Sequence, residues 1–183
     1  MRTFVAVEVA TGVINKLQNE IMSDTGWSLR DVKPVETRNF HFTLIFLGEK
    51  NDIEIDSIKS KMAEVKFEPF MITYVGIGAF PNPAAARVVW IGLDREGAQK
   101  LTDLANDVIA KMAELGFQAD KPFSPHLTIF RAKRQSINIR KIVAQYQDKV
   151  FGSELLDRLC LKKSDLAPSG PTYSNIYTVE AKK

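Results

Sequence analysis

The sequence predicts an α+β chain built from a duplicated unit, and three observations carry that prediction. Strand-like and helix-like runs alternate along the 183 residues, with neither class dominating. Both of the chain's histidines, His41 and His126, open the same pattern, His-apolar-Thr-apolar. After each pattern come a polar connection, one helix, and two strands separated by a Pro/Gly-rich connection.

The elements follow in order. Residues 3–9 (TFVAVEV) are β-branched and aromatic and read as a strand. Val13, Ile14, Leu17 and Ile21 recur at helical spacing and predict a helix over 12–23. The first His-x-Thr strand covers 40–47 and stops at Gly48, and Ile55, Ile58, Met62 and Val65 mark the next helix. Strands are predicted over 67–76 and 87–93, joined by GAFPNPAAA, whose prolines and asparagine break both periodicities. The longest helix is predicted over 97–115, with Leu101, Leu104, Ala105, Val108, Met112 and Leu115 on one stripe and Gly116 as its stop. The second His-x-Thr strand, 126–131, leads to a helix near 136–147 and strands near 151–162 and 173–180.

Composition narrows the class. Hydrophobic residues make up 45% and charged residues 26%, values that suit one compact domain of two similar halves over 1–183. No apolar run approaches the roughly 20 residues that span a bilayer. MRTFVAVEVA has no small-residue cleavage site and reads as a first strand, so the expected location is cytoplasmic with no membrane partner. The lone Cys160, in an apolar stretch, reads as a buried free thiol in a reducing compartment. No Cys/His cluster has metal-ligand spacing, so no metal or other cofactor is expected.

Charge is uneven. Between Lys121 and Gln147 there are no acids and six basic residues, Lys121, Arg131, Lys133, Arg134, Arg140 and Lys141, against a net +3 for the chain. Such a run is either a solvated face or an anion-binding one. Its overlap with the second His-x-Thr pattern favours anion binding.

In a strand, residues i and i+2 share a face, roughly 6.5–7 Å apart. His41 therefore shares a face with Thr43, and His126 with Thr128, while Phe42, Leu44, Leu127 and Ile129 turn to the other side. Each pattern offers an imidazole that exchanges protons near neutral pH and a hydroxyl suited to a phosphoryl oxygen. A single histidine on a half-apolar strand is more often a packed residue than a catalyst. With 10 threonines in 183 residues, coincidence is the weaker explanation for two such pairings. A duplicated unit places the two strands in equivalent positions, facing each other across a cleft. One neutral and one protonated imidazole about a single phosphorus are suited to phosphodiester hydrolysis.

These residues resemble the 2H phosphoesterase superfamily, and within it the LigT-like RNA 2',3'-cyclic phosphodiesterases, also called 2'-5' RNA ligases. The likeness covers nearly the whole chain: MRTFVAVEV, NFHFTLIFLGE, GIGAFPNPAAARVVWIGL, SPHLTIFRAK and SDLAPSGPTYSNIYTV match that group's successive segments. The resemblance implies a bilobal fold with pseudo-two-fold symmetry, its two mostly antiparallel sheets facing a central groove. It implies metal-independent hydrolysis of RNA 2',3'-cyclic phosphate ends to 2'-phosphomonoesters, with His41 as proton donor and His126 as acceptor. Thr43, Thr128 and Arg131 would bind phosphate. By simple alternation Arg131 has the parity of Leu127 and Ile129, so it reaches the phosphate only if the strand twists or ends before it. Phe130 has the parity of His126 and either borders the groove or joins the core; Trp90 is expected in the core.

The expected partner is RNA with a 2',3'-cyclic phosphate end, without an obligate protein partner. Alternatives remain: the reverse 2'-5' ligation, hydrolysis of small cyclic phosphates, or a non-catalytic module that binds RNA ends.

Overall fold

The computed structural model describes residues 1–9, 12–167 and 170–182. Nine strands and four α-helices are arranged among them in the order β1 (Arg2–Glu8), α1 (Gly12–Thr25), β2 (Val32–Pro34), β3 (His41–Glu49), α2 (Asp52–Ala63), β4 (Phe70–Phe80), β5 (Val88–Leu93), α3 (Arg95–Ala113), β6 (Leu127–Ala132), α4 (Arg140–Tyr146), β7 (Val150–Leu156), β8 (Arg158–Ala167) and β9 (Gly170–Glu180).

Helix formation follows the local chemistry. In α2 the Asn51 side chain accepts from the Glu54 backbone while Glu54 reaches back to Asn51, which satisfies two otherwise orphaned donors. In α3 the Asp94 carboxylate accepts from the Gly97 N–H, and Leu101, Leu104, Ala105, Val108 and Met112 form the buried stripe. Gly116 follows α3 with φ +84°, a left-handed conformation open to glycine without strain.

The strands form a four-stranded sheet, β3-β1-β8-β9, and a five-stranded sheet, β2-β6-β5-β4-β7, and every pairing is antiparallel. The repeat in the structure runs strand, helix, His-x-Thr strand, helix, strand (β1-α1-β3-α2-β4 and β5-α3-β6-α4-β8), so β5 opens the second unit, whereas the sequence pattern predicts that it closes the first. Each sheet places a His-x-Thr strand beside the first strand of its own unit (β3 beside β1, β6 beside β5). It then takes a strand from the other unit: β8 joins β1, and β4 joins β5. This exchange joins the two halves into one architecture and supports the predicted α+β class and duplication.

Several boundaries differ from expectation. The strand expected over 151–162 is two strands in different sheets, divided at Asp157, because its halves pair with β4 and β1 respectively. The strand expected over 67–76 begins at Phe70 and runs on to Phe80: Pro69 carries no N–H for a ladder, and β5 pairs as far as Phe80. The helix expected near 136–147 is confined to Arg140–Tyr146, since residue 137 instead forms an antiparallel bridge with Ala86. Strand β2 carried no periodic signal; its three residues pair with the outer edge of β6.

Candidate active site

The strand pairings decide which side chains reach the face shared by both histidines. In β3, Val5 pairs with Ile45 and Ala6 with Thr43, so Leu44 is an extra residue, a β-bulge. In β6, Val89 pairs with Phe130 and Trp90 with Thr128, so Ile129 is the extra residue. Each bulge shifts the alternation by one. Leu44 and Ile45 are both buried, as are Ile129 and Phe130. The fifth residue after each histidine, Phe46 and Arg131, therefore returns to the histidine face and is exposed. Simple alternation counted Arg131 onto the wrong side; the bulge at Ile129 is the reason it is not there. Phe130 goes to the core, edge-on to Trp27 with ring centroids 5.8 Å apart.

A groove of about 760 Å³ lies between the two sheets, and His41, Thr43, His126, Thr128 and Arg131 all line it. The five residues singled out in the sequence thus come together on one cavity. Phe46, Phe80, Tyr173, Asn39, Lys33 and Lys121 line it as well. Of these, sequence reasoning marks only Lys121, in the basic run, and Phe46, Phe80, Tyr173, Asn39 and Lys33 escape it. Phe46 depends on an invisible bulge, and Tyr173 reaches the site only through the pairing of β9 with β8.

The histidines are held alike. His41 Nδ1 lies 2.7 Å from the Asn39 carbonyl, and His126 Nδ1 lies 2.7 Å from the Ser124 carbonyl. A carbonyl only accepts, so each Nδ1 carries a proton and donates it, which leaves each Nε2 as the nitrogen that exchanges protons. Neither threonine hydroxyl is engaged in a hydrogen bond among the described residues, so both remain available to a ligand. Arg131 likewise makes no ion pair among the described residues.

Their surroundings differ. His41 packs on Phe4 (5.0 Å) and edge-on to Tyr173 (5.1 Å). Burial, opposed by its bond to Asn39 and reinforced by the charges of Lys162 and Arg131, lowers its pKa to about 4. His126 is edge-on to Phe80 (4.9 Å) and Trp90 (6.4 Å), and its pKa is lowered by burial with a contribution from Arg131. Trp90 is half-buried on the histidine face, opposite Thr128, and does not belong to the core as expected. Its ring lies flush against Gly78, where an added Cβ would come within 2.1 Å of ring carbon, so that residue must be glycine.

Behind His41 sits an ion pair with no sequence signal. Glu8 pairs across the strands with His41, and its Oε1 takes bonds from buried Lys162 Nζ (2.6 Å) and Asn175 Nδ2 (3.0 Å). Burial raises the Glu8 pKa, but these bonds and the charges of Lys162 and Arg158 outweigh it, and the carboxyl is held below its usual value. Cys160 is buried, as expected. Among the described residues no helix is long and apolar enough to cross a membrane.

The sequence and the fold have known counterparts. The AKAP7 2'5' RNA ligase-like domain family matches residues 4–180. The RNA 2',3'-cyclic phosphodiesterase of Archaeoglobus fulgidus is 43% identical over 180 residues, covering 98% of this chain and 100% of that protein. That of Methanothermobacter thermautotrophicus is 31% identical, covering 96% of each. The crystal structure of TT0787 of Thermus thermophilus superposes with a TM-score of 0.78 at 27% identity, covering 98% of this chain and 97% of that one. E. coli LigT, solved in complex with 3'-AMP, shares the fold with a TM-score of 0.77 at 23% identity over 100% of this chain and 98% of its own. The chain belongs to the 2'5' RNA ligase-like family of 2H phosphoesterases.

Proposed function

We propose that this protein hydrolyses 2',3'-cyclic phosphate ends of RNA to 2'-phosphomonoesters, without a metal, using His41 and His126 as an acid–base pair. The observation that carries the reading is the meeting of both imidazoles, both unengaged hydroxyls and the Arg131 guanidinium on one groove. Relatives up to 43% identical bear the name RNA 2',3'-cyclic phosphodiesterase, which supports the same substrate.

The chemistry follows from these groups. One neutral imidazole takes a proton from water as its oxygen bonds to phosphorus. The P–O3' bond breaks, and the other, protonated imidazole gives its proton to the 3'-oxygen. Thr43, Thr128 and Arg131 hold the non-bridging oxygens, where negative charge concentrates in the transition state. Phe46, Phe80 and Tyr173 offer aromatic faces and edges to the terminal base. Ligation through a 2'-5' bond runs through the same transition state in reverse, and bulk water favours hydrolysis.

The resemblance makes His41 the proton donor and His126 the acceptor. Burial lowers both pKa values, that of His41 to about 4, which disfavours imidazolium at His41 in the free groove. Hydrolysis proceeds with His126 as acid, or with His41 as acid once a bound phosphate stabilises its imidazolium. A p-nitrophenyl phosphodiester distinguishes them, because its leaving group needs no proton: the alanine variant lacking the acid retains turnover, and the one lacking the base loses it.

The direct test is a 2',3'-cyclic-phosphate oligonucleotide incubated in EDTA. The expected product is the 2'-phosphate, and His41→Ala and His126→Ala each lower kcat by roughly 10²–10⁴. Unchanged activity in both variants overturns the mechanism.

A further inference from the structure

We propose that the cationic end of the five-stranded sheet, where β2 and β6 leave the groove, is a track for RNA phosphates, so that the protein acts on oligonucleotide ends in preference to single cyclic nucleotides. This rests on the reading of the groove given above, and it concerns a surface outside the reacting centre.

Strand β6 runs out of the groove from the His126 end toward Ala132. Lys33 of β2 stands directly opposite Arg131, and both line the groove mouth. The chain then continues past the strand with its backbone tied down, because Lys133 N–H donates to the Asp31 carbonyl (2.9 Å). Next to it the Arg87 guanidinium donates to the Arg134 carbonyl (3.3 Å), and the Arg87 carbonyl accepts from Ala132 N–H (2.9 Å). Lys33, Arg131, Lys133, Arg134 and Arg87 therefore form a continuous cationic line that begins at the phosphate-binding face and leads away from it.

Two observations favour an anion-binding role for this line over a merely solvated face. Arg87, Arg131, Lys133 and Arg134 are all exposed, and none forms an ion pair among the described residues. Elsewhere the chain spends its cations: Lys61 and Lys111 each bridge both Glu64 and Glu114. Of the carboxylates on these segments, Asp31 accepts from the Ser28 backbone and hydroxyl and Glu36 pairs with Arg38 (2.8 Å), while Asp120 lines the groove beside Lys121.

A cyclic mononucleotide carries one phosphate, which the groove itself holds, and it leaves the outer cations unused. A chain of nucleotides brings further phosphates at intervals. Arg131 lies on β6, and Lys133 and Arg134 follow directly beyond its end at Ala132, so these cations succeed one another along the chain as it leaves the groove. The cyclic phosphate is the 3' end of its strand, so the phosphates on the track are those on its 5' side. Each one neutralised releases counterions and steepens the salt dependence of binding.

The experiment compares a 2',3'-cyclic mononucleotide with octamers ending in the same nucleotide, for the wild-type protein and a Lys133→Glu, Arg134→Glu double variant. The octamer is expected to exceed the mononucleotide in kcat/KM at least tenfold. The double variant is expected to lose about tenfold on the octamer and to turn over the mononucleotide, which does not reach these residues, at the wild-type rate. Fluorescence anisotropy with an octamer bearing a 3'-terminal phosphate tests the track without catalysis. The slope of log K against log salt should flatten by about 1–1.5 in the double variant, near 0.7 for each single-strand phosphate that is no longer neutralised. Equal kcat/KM for the two substrates, or an unchanged octamer salt slope in the double variant, overturns the track. If neither substrate turns over while the slope still flattens, the track stands and the hydrolytic reading falls.

Discussion

The two halves of the groove are built on the same strand and bulge, yet they distribute charge in opposite ways. In the first half, one row across the sheet reads Phe46, Phe4, Lys162, with Phe4 pairing both neighbours. The corresponding row in the second half reads Arg131, Val88, Phe80. Cation and aromatic have exchanged places. The first half's cation is buried and tied to Glu8 and Asn175, whereas the second half's is exposed and without an ion pair among the described residues. The imidazoles are thus placed symmetrically, and the exposed guanidinium lies on one side only. Duplication supplies two imidazoles, and the exchange of cation and aromatic at two equivalent positions leaves a single half with an exposed cation on the groove.

Making the halves alike should have the largest effect. Arg131→Phe copies the first half into the second and removes the cation that faces the groove. The expected loss is on the order of 10²–10³ in kcat/KM on a cyclic-phosphate oligonucleotide, the range for losing one preorganised charge-stabilising donor. An unaffected kcat/KM would show that Arg131 is a bystander at the strand end.

The second effect is on pH. The pair must hold one proton, so kcat/KM should be bell-shaped, with limbs set by the free protein's two macroscopic pKa values. Burial lowers both histidines, His41 to about 4 and His126 below its ordinary 6.5, which places the optimum on the acid side of neutrality. Activity should fall about tenfold per pH unit on each limb. A bound phosphate stabilises both imidazolium forms, so the kcat profile should lie at higher pH than the kcat/KM profile. Coincident profiles, or a flat response between pH 5 and 9, would refute this account.

Much of this site was legible in the sequence, for a specific physical reason. Two histidines with threonine at the same offset are a short-range pattern, and strand alternation alone puts each pair on one face. The long α3 and the paired strands around GAFPNPAAA were legible by the same local rules. What was hidden depends on pairing between distant segments. The extra residues Leu44 and Ile129 exist only relative to the strands opposite, so neither the placement of Arg131 nor the exposure of Phe46 was readable. Lys162 and Glu8 are far apart in sequence and meet only because β1 and β8 are neighbours. The break at Asp157 was missed because both flanking segments are equally strand-like, and only their destinations differ.

The smallest effect concerns stability, and it separates the two histidines without any substrate. His41 resists protonation in the folded chain down to about pH 4, whereas in the unfolded chain it titrates near 6.5. A group whose folded pKa is depressed costs nothing above the unfolded value. As pH falls from 6.5 toward 4 the unfolded state binds the proton first, so stability declines across that window. For His41 the loss is about 3 kcal/mol at full development, at roughly 1.4 kcal/mol per pH unit, and the smaller depression of His126 adds less. The Lys162–Glu8 pair sharpens the contrast. In Lys162→Met the cation that disfavours imidazolium is gone and the Glu8 carboxylate opposite His41 is released, so the His41 pKa should rise while that of His126 holds. Chemical denaturation at pH 7 and pH 5, with imidazole titrations by NMR, gives both quantities. The His41→Asn variant should lose most of the acid-side decline, and Lys162→Met should lose part of it while being about 1–3 kcal/mol less stable at pH 7. Were the decline to persist undiminished in His41→Asn, or the His41 pKa to stay fixed in Lys162→Met, the asymmetry between the halves would have to lie elsewhere than in this buried pair.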